Sequence, residues 1–178
     1  MSYCLFDGDE QGFICVLTIE YLLNNTVFSY VLYLVKNAEA RTTPNILFKA
    51  RRVKNETPTD GQVIVFEDVL YNHGSGYDSS SGVFTAPVGG TYLFTARLLS
   101  QSSGIVFFEI NVNGSMNSNG ALYDHKGWSY ASADSVVRLL SGDRVFIKAH
   151  YSNMITNSGW HTALTSKSNE FTGVLLHV

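Results

Sequence analysis

Residues 66–94 read FEDVLYNHGSGYDSSSGVFTAPVGGTYLF, and this stretch decides the fold class. Aromatic residues recur at Phe66, Tyr71, Tyr77, Phe84, Tyr92 and Phe94, separated by clusters that reverse or end strands. Asn72-His73-Gly74-Ser75-Gly76 supplies residues that tolerate left-handed backbone angles, and Asp78-Ser79-Ser80-Ser81-Gly82 supplies a second turn before Val83-Phe84. Pro87 and Gly89-Gly90 then mark the entry to a long strand, in which Tyr92, Phe94, Ala96 and Leu98 share one face. Bulky anchors separated by turn chemistry describe a β-rich core.

Outward from this stretch the pattern continues. Upstream, Ile46, Phe48 and Ala50 alternate with Leu47, Lys49 and Arg51 as in a half-buried first strand, and Val63 to Tyr71 reads as one strand or two short ones. Downstream, Val106, Phe108, Ile110 and Val112 point one way, and Asn113-Gly114 ends that strand with hairpin chemistry. Ile105 and Phe107 fall on its second face, where a sheet open to water would read polar, so they need cover. Met116 to Ser129 reads as a loop, Ser135 to Leu140 as a strand, and Ser141-Gly142-Asp143 as the turn before Arg144 to His150. Tyr151 to Asn169 is mostly polar loop. Phe171 to Val178 is almost wholly apolar and is expected to be a central strand buried on both sides. No segment of the main domain has a helical period, so the fold class is all-β, a sandwich of about ten short strands.

The spacing Phe66, Asn72, Tyr77, Phe84, Gly90, Tyr92 and Phe94 matches, without a gap, the signature of the complement C1q globular-domain (C1q/TNF-like) family, and the chain resembles stand-alone members of it. The likeness runs from about Ile46 to Val178, including Ser141-Gly142-Asp143 and the closing Phe171-Thr172-Gly173-Val174. Ala96 departs from the pattern, standing where the family has Phe or Tyr. The resemblance implies a jelly roll, assembled as a homotrimer whose neighbouring subunits would cover Ile105 and Phe107; a loop or the first forty residues would serve equally. No Gly-x-y run is present in the sequence, so a free head is expected.

Composition agrees with one domain and an appendage. Of 178 residues, 45% are hydrophobic and 13% aromatic, with 15 Gly and 3 Pro, which excludes a disordered chain. The net charge of −3 gathers in residues 1–40, leaving residues 41–178 near neutral and without the basic field that nucleic acid requires. The run Lys49, Arg51, Arg52 and Lys54 alternates with apolar residues as the solvated face of a strand would.

Residues 1–40 read as a leader or appendage. Phe13 to Val35 is interrupted by Glu20, Asn24 and Asn25 and makes a poor membrane span. Val27 to Val35 has the length of a signal-peptide apolar region, and Ala38-Glu39-Ala40 the form of a cleavage site, although acids occupy the positions where a basic flank belongs. On this reading the protein is secreted and residues 41–178 form the mature domain. The alternative is an extra element packed on the domain. Both cysteines, Cys4 and Cys15, lie in this segment, so cysteine usage says little about compartment.

Chemistry for catalysis is missing from the sequence: no Gly-x-Ser-x-Gly elbow, His-Glu-x-x-His, Cys-x-x-Cys or phosphate-binding glycine loop occurs. His73 reads as a turn residue and His177 as a strand-face residue. Two loops carry the mixture that holds sugars, an aromatic face for the apolar side of the ring and polar groups for the hydroxyls. Tyr123, Asp124, His125, Lys126, Trp128 and Tyr130 form one, and Trp160 with His161 the other. No cofactor is required. Some relatives bind calcium before the Gly-Asp turn, and here Asp124 and Asp134 are the candidate ligands, with Ser129 where a second family acid would align. The expected function is non-catalytic recognition of carbohydrate or microbial surface patterns. The alternative is a protein-receptor-binding signalling or adhesion ligand.

Overall fold

The computed structural model describes residues 3–6, 13–16, 43–100, 105–123, 127–150 and 169–178. Contacts divide the chain into two units, residues 1–42 and 43–178. In the first, β1 (Tyr3–Phe6) and β2 (Phe13–Val16) pair antiparallel, with Cys4 opposite Cys15 in register. The apolar stretch from Val27 and the Ala38-Glu39-Ala40 triplet lie outside the described residues.

The second unit is the domain. It contains β3 (Leu47–Val53), β4 (Phe66–His73), β5 (Tyr77–Asp78), β6 (Val83–Thr85), β7 (Gly90–Ser100), β8 (Val106–Val112), β9 (Ser115–Leu122), β10 (Ser129–Leu139), β11 (Arg144–Ala149) and β12 (Glu170–His177). These ten strands form two five-stranded sheets, ordered β10-β7-β12-β3-β4 and β5-β6-β11-β8-β9. Non-consecutive neighbours in both sheets give the crossed connections of a jelly roll.

The signature spacing has a physical reason. Asn72 donates its side-chain amide to the Tyr77 carbonyl (2.7 Å) and accepts from the Tyr77 N–H (3.2 Å), closing the turn between β4 and β5. The turn seats Tyr77 in the core. Its hydroxyl donates to the Phe66 carbonyl (3.0 Å) and accepts from the Phe66 N–H (3.1 Å), so the edge strand of one sheet is tied to the other. Burial pushes the Tyr77 hydroxyl pKa far up, against the pull of its Phe66 bonds, and the group stays neutral. Phe84, Phe94 and Phe171 then close around Phe48, which stacks on Tyr77 at 4.7 Å between ring centroids and meets Phe171 edge-on at 5.0 Å.

Ala96 is buried, paired with Ala133 on one side and Phe171 on the other, and Phe171 is flanked in turn by Ala50. An aromatic at 96 would stand directly beside the Phe171 ring in the core. Gly173, next to Phe171 but one, is obligatory: a Cβ there would stand 2.4 Å from the Phe48 ring.

Two expectations need correction. Residues 115–122 are not loop but strand β9, paired with β8. Their polar sequence SMNSNGAL hides this because β9 is an edge strand with little buried surface, so backbone pairing rather than an apolar face holds it. The closing strand β12 is central, as expected, but one side only is fully buried, through Phe171, Gly173 and Leu175. Its other side presents Thr172, Val174 and Leu176 on the outer face of the first sheet, which is why it reads apolar throughout. Phe107 is half-buried within the chain, its ring 4.8 Å from that of His150. The exposed apolar surface lies on the other sheet.

Candidate functional site

On the outer face of the first sheet, cross-strand register creates rows that no single segment shows. Ser132, Arg97, Glu170, Arg51 and Asp68 stand side by side across β10, β7, β12, β3 and β4. Glu170 takes Lys49 at 2.8 Å and Arg97 at 3.2 Å, while Arg51 pairs with Asp68 at 2.9 Å and Arg52 with Glu67 at 3.1 Å. Three of the four cations of the basic run are thus spent on carboxylates of neighbouring strands, as a solvated sheet face would have it. Such pairs contribute only about 0–1 kcal/mol each.

The first candidate loop connects β9, an edge of the second sheet, to β10, an edge of the first. Tyr123 closes β9, and Trp128 stands just before β10; they are 57% and 39% exposed. Tyr130, 44% exposed, lies on the outer face of β10, and the Arg97 guanidinium sits 4.7 Å from its ring centroid. Opposite Leu99 in register, Tyr130 is the diagonal neighbour of Arg97, close enough for a cation–π contact of about 0.5–1 kcal/mol. Tyr130 and the Arg97–Glu170–Lys49 chain combine an aromatic face with charged donors and acceptors held on rigid strands. Asp124, His125, Lys126, Trp160 and His161 lie outside the described residues.

Asp134 is exposed on β10, opposite Thr95 and four residues from Tyr130, about 13 Å along the strand. Calcium takes six to eight oxygens. Among the described residues no three His, Cys, Asp or Glu side chains gather to hold a metal, and Asp124, the other candidate ligand, lies outside them.

Sequence reading missed Arg97, Glu170 and Lys49 as members of one patch. Alternation alone places each on an outer face, but only the order β7-β12-β3 makes them neighbours. It also missed Glu109, 2% exposed on β8, with Asn111 donating to one oxygen (2.6 Å), Lys148 3.4 Å from that oxygen, and His150 on the other. Burial raises the Glu109 pKa, but the Asn111 and His150 hydrogen bonds and the His150 and Lys148 charges outweigh it and hold the carboxyl below its ordinary value. With both oxygens occupied, Glu109 ties β8 to β11 and has no free face for a substrate.

A group whose folded pKa is depressed stabilises fully above its unfolded value and loses that contribution as pH falls through the folded one. Glu109 follows this rule, and so does Asp78, whose carboxylate accepts from the Ser81 and Ser80 hydroxyls and the Ser80 N–H and is lowered to about 2. Stability is therefore expected to fall below the ordinary carboxylate range, about pH 4. Urea midpoints measured at about pH 6 and about pH 3 should differ less in Glu109→Gln than in the parent.

A family model for the C1q domain matches residues 47–176. The chain belongs to the C1q-domain family. Among curated relatives of this C1q-domain chain, Caprin-2 of Danio rerio is 32% identical over 143 residues, covering 76% of this chain and 14% of that protein. Complement C1q and tumor necrosis factor-related protein 9A of Homo sapiens is 30% identical over 102 residues, covering 54% of this chain and 28% of that one. The C1q-domain chain thus spans between about a seventh and about a quarter of the length of these relatives. The solved globular domain of zebrafish complement 1qA superposes with a TM-score of 0.55 at 21% identity, over 74% of this chain and 97% of that one, in agreement with the jelly-roll fold. Among the described residues of this C1q domain no helix is long and apolar enough to cross a membrane.

Proposed function

We propose that this C1q domain is a secreted, non-catalytic recognition head that binds carbohydrate or microbial surface patterns as a homotrimer. The observation that carries the reading is the exposed Trp128–Tyr130 pair beside Arg97 and Glu170, aromatic faces and polar groups presented together at one end of a rigid sandwich. Assembly is supported by an apolar row on the first sheet, in which Val136, Leu93, Val174 and Leu47 lie abreast with no subunit of their own to cover them. Three linked heads turn weak single-site sugar contacts into useful avidity. Trp128→Ala is expected to reduce glycan-array binding at least about tenfold, with light scattering showing an unchanged assembly; retained binding removes the loop from the site.

A second reading, an adhesion or signalling ligand for a protein receptor, draws on a different surface. Leu70 and Tyr71, 45% and 38% exposed, lie on β4, an edge strand free to meet another protein. In that case Leu70→Asp abolishes cell binding while excess monosaccharide leaves it intact.

A further inference from the structure

At the end of the first sheet opposite the recognition loop is a cleft of about 300 Å³, lined by Gly89, Gly90, Thr91, Arg138, Leu140 and His177 among others. Three of these share a row. Thr91 is opposite Arg138 on β10 and opposite His177 on β12. His177 reaches that place through the bulge after Leu175; in unbroken register Leu176 would stand there instead. Gly90 permits the approach, since a Cβ would lie 2.5 Å from the His177 carbonyl oxygen. A bulge that re-aims a histidine, and a glycine that makes room for it, bring an imidazole beside a hydroxyl and a guanidinium.

Arg138 carries the charged side chain of the lining, which also includes Val178, the last residue of the sequence. Arg138 and His177 are both exposed, and among the described residues neither side chain has a hydrogen-bond or ion-pair partner. No acidic side chain lines the cleft. The nearest one along the chain, Asp143, is committed elsewhere: Asn113 donates to Oδ1 at 2.9 Å and the Leu140 N–H to Oδ2 at 2.7 Å. The wall behind is fixed as well. The Gly142 N–H donates to the Ala86 carbonyl and the Ala86 N–H to the Asp143 carbonyl, both at 2.8 Å, while the Ser141 hydroxyl donates to the Pro87 carbonyl at 3.1 Å. Elsewhere on this sheet face Lys49, Arg51 and Arg97 have carboxylate partners from neighbouring strands. Arg138 is a cation left without one, in a concave, preformed place.

We infer that this cleft binds a small oxyanion, the carboxylate or sulfate of an acidic saccharide. Arg138 supplies the planar donor pair that such groups accept in bidentate fashion, and Thr91 and His177 supply further donors. The oxyanion rests on the cleft alone, whereas its attachment to a saccharide rests on the recognition reading above. The two sites stand at opposite ends of β10 and are separable.

The test titrates the assembled, isotope-labelled protein with glucuronic acid, glucose 6-sulfate, glucose and sodium sulfate, following the amide resonances of Gly90, Thr91 and His177. Both acidic sugars and sulfate are expected to shift these resonances in a saturable way, with glucose inert. Arg138→Gln should weaken the response at least about tenfold, a magnitude typical of losing a charged hydrogen-bond partner, without lowering the thermal midpoint. Trp128→Ala should leave it intact. Equal response to glucose, silence with sulfate, or an unchanged response in Arg138→Gln overturns the inference. A glycan array lost in Trp128→Ala but kept in Arg138→Gln, with no sulfate response, overturns this cleft and leaves the loop standing; the converse overturns the loop alone.

Discussion

Phe48→Ala is expected to lower the stability of the domain by about 3–5 kcal/mol. Phe48 is fully buried and touches the rings of Tyr77, Phe84, Phe94 and Phe171, so its removal leaves a cavity bounded by four aromatic groups that cannot collapse without breaking their own contacts. Tyr77 has least freedom to follow, because its hydroxyl is bonded at both ends to the Phe66 backbone and its own backbone to Asn72. Urea unfolding followed by tryptophan fluorescence reads the effect as a lower midpoint with an unchanged slope. A loss under about 1 kcal/mol means that the rings re-pack and that the cluster does not organise the fold.

The second large effect concerns assembly. Val136→Asp is expected to turn the proposed trimer into monomers, raising the dissociation constant by about a thousandfold or more, since burying an unpaired carboxylate costs several kcal/mol in each of three subunits. Val136 is 65% exposed on an edge strand of the isolated domain, at the end of the row that continues through Leu93, Val174 and Leu47. An outward Asp harms nothing within one chain, so circular dichroism should be unchanged while sedimentation reports the lower mass. A variant that remains trimeric places the contact elsewhere, and one that unfolds would contradict the exposure of the site.

The fold was legible from residues 66–94 because each signature position performs a local task that sequence spacing encodes. Asn72 and Tyr77 close a turn five residues apart, and Phe84 on β6 and Tyr92 and Phe94 on one face of β7 all point into the core. Strand β9 was not legible, since an edge strand of polar residues carries no alternation for a reader to find. The candidate recognition surface was half legible. Trp128 and Tyr130 announce themselves by type, whereas Arg97, Glu170 and Lys49 belong to three strands far apart in the chain and become neighbours only through pairing. Ile105 and Phe107 are half-buried, with the His150 ring against Phe107, while the apolar row that only strand pairing reveals lies on the opposite side of the sandwich. Residue type tells which side chains want company; it does not tell which strand will provide it.

The alanine at 96, beside Phe171, bears on how kinship in this domain is judged. Scored column by column, position 96 counts as a lost aromatic and as distance from the rest of the lineage. Measured as volume summed along the row Ala133, Ala96, Phe171 and Ala50, the same stretch has a ring seated between alanines and no gap to repair. A side chain at 96 answers to the ring across the strand from it, so its column is read together with that of Phe171.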